Sequence, residues 1–166
     1  MATRSVEVRK YGEGGEMMKV KDLTRMAIVA ALYCVVTWLV SPIAYGPMQF
    51  RLSEVMKPLA LKGRIYIAGL SVGLLLANLL SPFGGPWEWV WMPVMCFIGG
   101  EIAYRMRKWP AASMVFYSAW ISFAVAIMLQ AVLQIPFYLT IGWIWIPELI
   151  LMQIGLPLMN KLKGWL

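Results

Sequence analysis

WPAASMVFYSAWISFAVAIMLQAVLQIPFYLTIGWIWIP, residues 109–147, is a run of 39 residues without a charge. A helix rising ~1.5 Å per residue crosses a ~30 Å hydrocarbon layer in ~20 residues. The run is too long for one crossing and long enough to start a second. Gln134-Ile135-Pro136 divides it, because proline lacks an N–H and clashes with the preceding turn. The predicted spans on either side are Ala111–Gln134 and Phe137–Met159.

The rest of the chain follows the same pattern. Residues 26–50, 65–87, 89–100 and 149–160 are also uncharged. Of the 166 residues, 61% are hydrophobic and 14% charged, against roughly 45–50% and 25% in soluble domains. Mean hydropathy is +0.70. A short soluble fold has too little interior for this, since small domains bury only about two-thirds of their unfolded surface. Disorder needs low hydrophobicity. The class left is an integral membrane protein.

Charge placement sets the topology. The net charge is +7. Thirteen of the 15 basic residues fall in four clusters: Arg4, Arg9, Lys10, Lys19, Lys21 and Arg25; Lys62 and Arg64; Arg105, Arg107 and Lys108; Lys161 and Lys163. Only Arg51 and Lys57 lie elsewhere. Short loops rich in Lys and Arg stay cytoplasmic, so an even number of crossings must separate consecutive clusters. Each interval has room for two. The expectation is an all-α integral membrane protein, a compact bundle of six transmembrane helices, multi-pass in the cell membrane with both termini cytoplasmic. The spans are Leu23–Val40, Ser53–Leu61, Arg64–Leu80, Trp87–Tyr104, Ala111–Gln134 and Phe137–Met159. Residues 1–21 form a cytoplasmic arm and residues 22–166 the membrane domain. A five-span alternative fuses residues 54–80 into one helix, which buries Lys57, Lys62 and Arg64 and puts Lys161 and Lys163 outside. Nucleic acid is excluded as a partner, because its basic patch would gather on one soluble face. The bilayer is the partner instead.

The second span is short. Nine α-helical residues cover only ~13 Å. Residues 43–50 must therefore dip into the protein, and irregular backbone at that depth survives only when buried or lining a cavity. This loop is a candidate site on physical grounds alone.

The residue inventory removes several chemistries. Histidine is absent, so there is no Ser-His-Asp triad and no imidazole metal ligand. Cys34 and Cys96 are isolated in apolar runs and read as small core residues. No G-x-x-x-x-G-K-[ST] loop is present, so energy for uphill transport must come from a partner or a gradient. Neither catalytic nor metal-ligating residues are expected, and the chain needs no cofactor of its own.

Four constellations remain. In Tyr45-Gly46-Pro47-Met48-Gln49-Phe50-Arg51-Leu52-Ser53-Glu54, Gly-Pro makes a turn, Ser53 is the expected N-cap, Glu54 faces the positive helix end, and Arg51 is the expected partner of Glu54. In Pro86-Trp87-Glu88-Trp89-Val90-Trp91, the tryptophans suit a membrane interface. Glu88 between Trp87 and Trp89 suits a flat, nitrogen-bearing ring. In Trp143-Ile144-Trp145-Ile146-Pro147-Glu148, Glu148 falls halfway along its span, where an ionisable group is a functional candidate. Asn78, Gln130 and Gln134 can add hydrogen bonds. Finally, Ala27 and Ala31, with Ala30 beside them, and Gly69 and Gly73 have small-xxx-small spacing, which serves either internal packing or a partner subunit. Glu101 and Arg105 are an expected i, i+4 pair.

YGPMQFRLSE, residues 45–54, closely resembles the signature after the first helix in the QueT family. These are substrate-binding S components of energy-coupling factor (ECF) transporters, assigned to queuosine precursors. The resemblance extends to Ala77-Asn78-Leu79-Leu80, Pro147-Glu148-Leu149-Ile150 and Gly155-Leu156-Pro157-Leu158. Glu88 departs from it, standing where the family pattern has Asp. The resemblance implies an outward pocket roofed by the loop after the first helix. It also implies a cytoplasmic-side interface with a transmembrane scaffold and two ATPases, which use ATP. The Ala27, Ala30 and Ala31 face occupies the scaffold-docking position. A 7-deazaguanine base would offer adjacent N–H donors to Glu148 or Glu54. Gln49 and Asn78 would orient it, Trp87, Trp89 and Trp143 would line the walls with Glu88 beside them, and Tyr45 and Arg51 would belong to the gate. The alternatives are an S component for another vitamin or nucleobase, a small structural or assembly membrane protein, and, most distantly, an intramembrane enzyme.

Overall fold

Glycine and proline set most of the helix boundaries in the structure, a computed structural model that describes residues 20–45, 50–82 and 84–161. The elements are α1 (Val20–Leu39), α2 (Ser41–Ala44), the 3₁₀ helix η1 (Leu52–Lys62), α3 (Arg64–Leu79), the π-helical turn η2 (Trp87–Trp91), α4 (Met92–Arg105), α5 (Pro110–Leu133) and α6 (Phe137–Lys161). No strand occurs among the described residues. The expected division of the longest apolar run is observed. α5 ends at Leu133, Gln134 turns with φ 56° into the left-handed region, and α6 starts after Pro136. Prolines stand in the first turn of α2, α4 and α5, where no N–H is needed.

Side-chain contacts fix the direction of each pass. Added Cβ atoms on Gly69 and Gly73 would meet Met26–Val29 and Ala30–Tyr33 respectively, so α1 and α3 run side by side in the same direction. Ser113 Oγ donates to the Ala103 carbonyl and Trp91 Nε1 to that of Ala124, so α5 runs opposite to α4. Trp145 Nε1 donates to Ser118 Oγ and Gln153 Nε2 to the Ala111 carbonyl, which reverses α6. Lys62 Nζ, 2.8 Å from the Met159 carbonyl, brings the end of η1 to the end of α6. At the same end, Arg64 pairs with Glu101 at 3.0 Å. The expected Glu101–Arg105 pair gives way to this bond across two helices. The described basic residues outside the core (Lys21, Arg25, Lys62, Arg64, Arg105, Arg107, Lys108 and Lys161) therefore sit toward one end of the bundle.

α1, α5 and α6 are each long and apolar enough to cross a membrane. α3 is apolar and 16 residues long. The five-span alternative fails at Gly63, which breaks the chain between η1 and α3.

η1 differs from expectation in kind. It is 11 residues of 3₁₀ helix with Pro58 inside it, not nine residues of α-helix. At ~2.0 Å per residue a 3₁₀ helix of this length reaches ~22 Å, against ~13 Å for the nine α-helical residues expected. It touches α1, α3, α4, α5 and α6 and buries Ser53, Glu54, Met56, Lys57, Pro58, Leu59 and Ala60. Gly155 of α6 lies against the Val55 carbonyl with no room for a Cβ, and an added Cβ would stand 3.0 Å from Pro58. That absence of a side chain is what lets α6 press onto η1. η1 is thus the axle of the fold, and two of its residues carry charge into the middle.

Candidate functional site

Among the described residues five charged side chains lie inside the bundle: Arg51, Glu54, Lys57, Glu88 and Glu148, none more than 4% exposed. Each comes from an irregular or interrupted segment. Arg51, Glu54 and Lys57 are on or next to η1, Glu88 is in the π-turn η2, and Glu148 follows Pro147 within α6. Charge and irregular backbone are both tolerated at depth only inside protein or against a cavity.

The inner group centres on Lys57. In a 3₁₀ helix, residues i and i+3 eclipse, which sets Lys57 Nζ 3.4 Å from Glu54 Oε2. Nζ also donates to Cys96 Sγ at 3.1 Å and lies 5.0 Å from the ring centre of Tyr117 and 5.9 Å from that of Tyr33. The Tyr33 hydroxyl donates to Glu54 Oε1, and the Tyr117 hydroxyl donates to the Cys96 carbonyl at 2.8 Å. Glu148 is buried on α6, the helix that packs against η1, in the electrostatic reach of Glu54, Lys57 and Arg51.

The outer group lies toward the end away from the basic residues. Arg51 Nη2 is 3.8 Å from Glu88 Oε1, an ion pair too long for a hydrogen bond. The guanidinium carbon is 5.7 Å from the Tyr45 ring centre. The Tyr45 hydroxyl donates to the Ala77 carbonyl at 2.5 Å. Asn78 Nδ2 donates to the Glu88 carbonyl at 2.8 Å, and Trp89 Nε1 donates to the Asn78 carbonyl at 3.3 Å. So α3, η2 and the segment before η1 are tied together here.

The sequence expectation of an Arg51–Glu54 pair is replaced by two pairs, Arg51–Glu88 and Glu54–Lys57. Ser53 does not cap η1: Arg51 occupies that position, and Ser53 Oγ instead accepts from Thr37 Oγ1 at 2.6 Å. Tyr45, Arg51, Glu54, Asn78, Glu88 and Glu148 are all buried. Trp87 and Trp89 are more than one-third exposed on the rim, and Trp87 packs edge-on against Trp91. Trp143 is 60% exposed and lines an apolar groove with Phe50, Ile146 and Ile150 outside the charged interior. A Trp143 wall is therefore not what the structure forms, because positions 143 and 148 lie about 140° apart around a helix, so turning Glu148 inward turns Trp143 outward. Gln49 lies outside the described residues. The three alanines divide: Ala30 is buried against Gly73 of α3, while Ala27 and Ala31 are exposed.

Sequence reasoning missed Lys57, Tyr33, Cys96 and Tyr117. Lys57 carried a signal, as one of two basic residues outside the four clusters. The other three sit in apolar runs and read as core.

Several of these buried atoms lack hydrogen-bond partners: Arg51 Nε and Nη2, Asn78 Oδ1, and one Oε2 on each of Glu54, Glu88 and Glu148. Leaving such an atom dry and unpaired costs about 1–3 kcal/mol, and more when charged. Their concentration in one region marks a place where a ligand's own donors and acceptors would be gained. Among the described residues no cluster of His, Cys, Asp and Glu could hold a metal.

A family model described as QueT transporter matches residues 23–164. A protein of Lactococcus lactis subsp. cremoris named Queuosine precursor transporter QueT is 32% identical over 157 residues, 87% of this chain and 93% of the relative. No solved structure matches the chain.

Proposed function

This chain belongs to the QueT transporter family, and we propose that it is the solute-binding subunit of an ECF-type importer that captures a 7-deazaguanine precursor of queuosine. As a multi-pass membrane protein of a transport family, it is not expected to perform chemistry on its solute. In this reading the six helical passes are six crossings, the basic end is cytoplasmic, and the outer group opens to the exterior.

The unpartnered buried atoms carry the proposal. A 7-deazaguanine ring presents adjacent N–H donors on its pyrimidine edge, a ring carbonyl beside them and a pyrrole N–H opposite. Glu148 or Glu54 accepts the paired donors. Arg51 Nε and Nη2 donate to the carbonyl. Asn78 Oδ1 takes a further N–H, Trp89 covers part of the mouth, and Tyr45 belongs with Arg51 to the gate. Charged hydrogen bonds in such a dry setting are worth about 1.5–3 kcal/mol each. A micromolar Kd needs about 8 kcal/mol net of the cost of association, so several such bonds are needed together with burial of the ring.

Equilibrium binding of queuine and its 7-deazaguanine precursors to the purified protein tests this. Micromolar or tighter affinity for at least one, weakened by Glu148→Gln or Glu54→Gln, is the expected result. Affinities no tighter than ~1 mM for all of them overturn the solute class, and unchanged affinity in both variants overturns the site. The transport arrangement has its own test. ATP-dependent uptake should require co-reconstitution with a scaffold and two ATPases, and uptake by the chain alone at the same rate would refute it.

A further inference from the structure

The basic end of the bundle holds more positive charge than it neutralises. Among the described residues, Lys21, Arg25, Lys62, Arg64, Arg105, Arg107, Lys108 and Lys161 gather there with two carboxyls. Both carboxyls are taken, Asp22 by Arg25 at 3.7 Å and Glu101 by Arg64 at 3.0 Å. A cavity of about 240 Å³ opens at this end, between the close of η1, the α4–α5 turn and the last turns of α6. Lys62 and Arg107 line it, and among the described residues no carboxylate does. Both cations are held in place. Lys62 Nζ donates to the Met159 carbonyl at 2.8 Å. Arg107 Nη1 donates to the Tyr104 carbonyl at 3.2 Å, with its guanidinium carbon 4.3 Å from the Tyr104 ring centre. No described carboxylate pairs with Arg107. α5 begins at Pro110 on the same wall without a side-chain cap, so its first turn adds partial positive charge. The rest of the wall is apolar, with Leu61 and Leu156 among its side chains. Trp109, next in the chain to Pro110, is 68% exposed, and tryptophan settles at the level of lipid headgroups.

We propose that this cavity is a headgroup site for an anionic phospholipid: the phosphodiester lies between Lys62 and Arg107, and the acyl chains leave over Leu61 and Leu156. The lining matches such a molecule in both halves. A soluble phosphate would use the cations and leave the apolar wall wet. A zwitterionic lipid would use the wall but bring its own cation up to Lys62 and Arg107. A guanidinium presents a fork to phosphate oxygens, and an ammonium adds a point charge beside it. Basic pockets between helices at the cytoplasmic face of membrane proteins take acidic headgroups by the same physics. The lipid would tie the end of η1 to α6 and to the α4–α5 turn, and so steady the element that carries Glu54 and Lys57. The site needs only that the basic end meets a membrane surface. It does not depend on which solute the interior takes.

Native mass spectrometry tests this on the purified full-length chain, delipidated in detergent and titrated with dioleoylphosphatidylglycerol or dioleoylphosphatidylcholine. The acyl chains are identical, so only the headgroup differs. The anionic lipid is expected to bind about 10–30-fold more tightly at one site, the preference that two basic contacts at a membrane surface correspond to. Lys62→Gln with Arg107→Gln is expected to bring that ratio close to one. Lys21→Gln with Arg105→Gln removes the same charge from the same end, outside the cavity, and is expected to keep it. Equal binding of the two lipids by the wild-type protein overturns the proposal. A ratio that falls equally in both double variants reports diffuse attraction and overturns the cavity as its source. So does a ratio that survives the cavity variant; if that variant also loses capture of the scaffold–ATPase module, the cavity is a protein docking surface instead. Displacement of the bound lipid by equimolar inorganic phosphate assigns the site to free phosphate and overturns the lipid. Arg107→Gln alone, at an exposed position, gives the same readout if the double variant does not fold.

Discussion

Arg51 and Lys57 are both cations at no more than 3% exposure, and the protein treats them differently. Lys57 is gripped from several elements. Glu54 lies one 3₁₀ turn away, Cys96 comes from α4, and the rings of Tyr33 and Tyr117 come from α1 and α5. Among the described residues Arg51 has one loose ion pair and one ring beside it, and two of its nitrogens make no hydrogen bond. Equal burial with unequal satisfaction separates two jobs. The inner cation closes the bundle around η1, and the outer cation keeps donors free in the region proposed to take the solute. A compact ammonium suits the first task, since its three donors can be shared among partners in different directions. A planar guanidinium suits the second, because it presents a fork to a flat acceptor.

Removing each cation breaks or sustains this contrast. Lys57→Met should have the largest effect on stability, about 3–5 kcal/mol, because it strands the buried carboxylate of Glu54 without its ion-pair partner. Thermal unfolding in detergent or nanodiscs reads it, and an unchanged midpoint would show that Lys57 closes nothing. Gly155→Ala comes next. It drives a methyl into the Val55 carbonyl and pushes α6 from η1, carrying Glu148 away from Glu54. A loss of about 1–3 kcal/mol is expected from this overpacking, with weaker solute binding as its second readout. The outer pair should behave otherwise. Replacing both partners, Arg51→Met with Glu88→Met, removes two charges together, which is commonly neutral or better for stability. The double variant is expected to unfold within about 1 kcal/mol of the parent and to lose solute binding at least tenfold. A double variant that binds normally would show that the outer group is structural.

How much of this was readable beforehand follows from the range of each signal. Pro136, the Lys62 and Arg64 cluster and the uncharged runs act locally, and they placed the helical segments within a few residues. Arg51, Glu88 and Glu148 stood out because charge at depth is costly in any fold. Lys57 was readable as a leftover cation, yet its meaning depended on η1 being a 3₁₀ helix, which eclipses it with Glu54. Tyr33, Tyr117 and Cys96 gave no warning, because a tyrosine or cysteine in an apolar run is ordinary core. α5 in particular is apolar almost all round, so no face of it points to a site. The partner of Glu101 was misread for the same reason: Arg64 is 37 residues away, and nothing local competes with the i+4 arginine until the helices are packed.

The smallest expected effect on stability lies outside both groups, on α1. Ala27 and Ala31 are exposed, while Ala30 is buried where Gly73 of α3 approaches its carbonyl and the Cβ of Tyr33. A larger side chain at position 30 would push on the wall that holds Tyr33 against Glu54, so Ala30→Leu should lower both stability and solute affinity. Leucines at 27 and 31 would meet neither neighbour. Their cost is expected within about 0.5 kcal/mol, with solute binding intact. If this face docks a scaffold subunit through close helix approach, as small-xxx-small faces do, the same two leucines should abolish capture of the scaffold–ATPase module in co-purification. Normal capture by the Ala27→Leu, Ala31→Leu variant would refute that docking face. A fall in its solute affinity would show that the inner group reaches farther through α1 than the contacts around Tyr33 indicate.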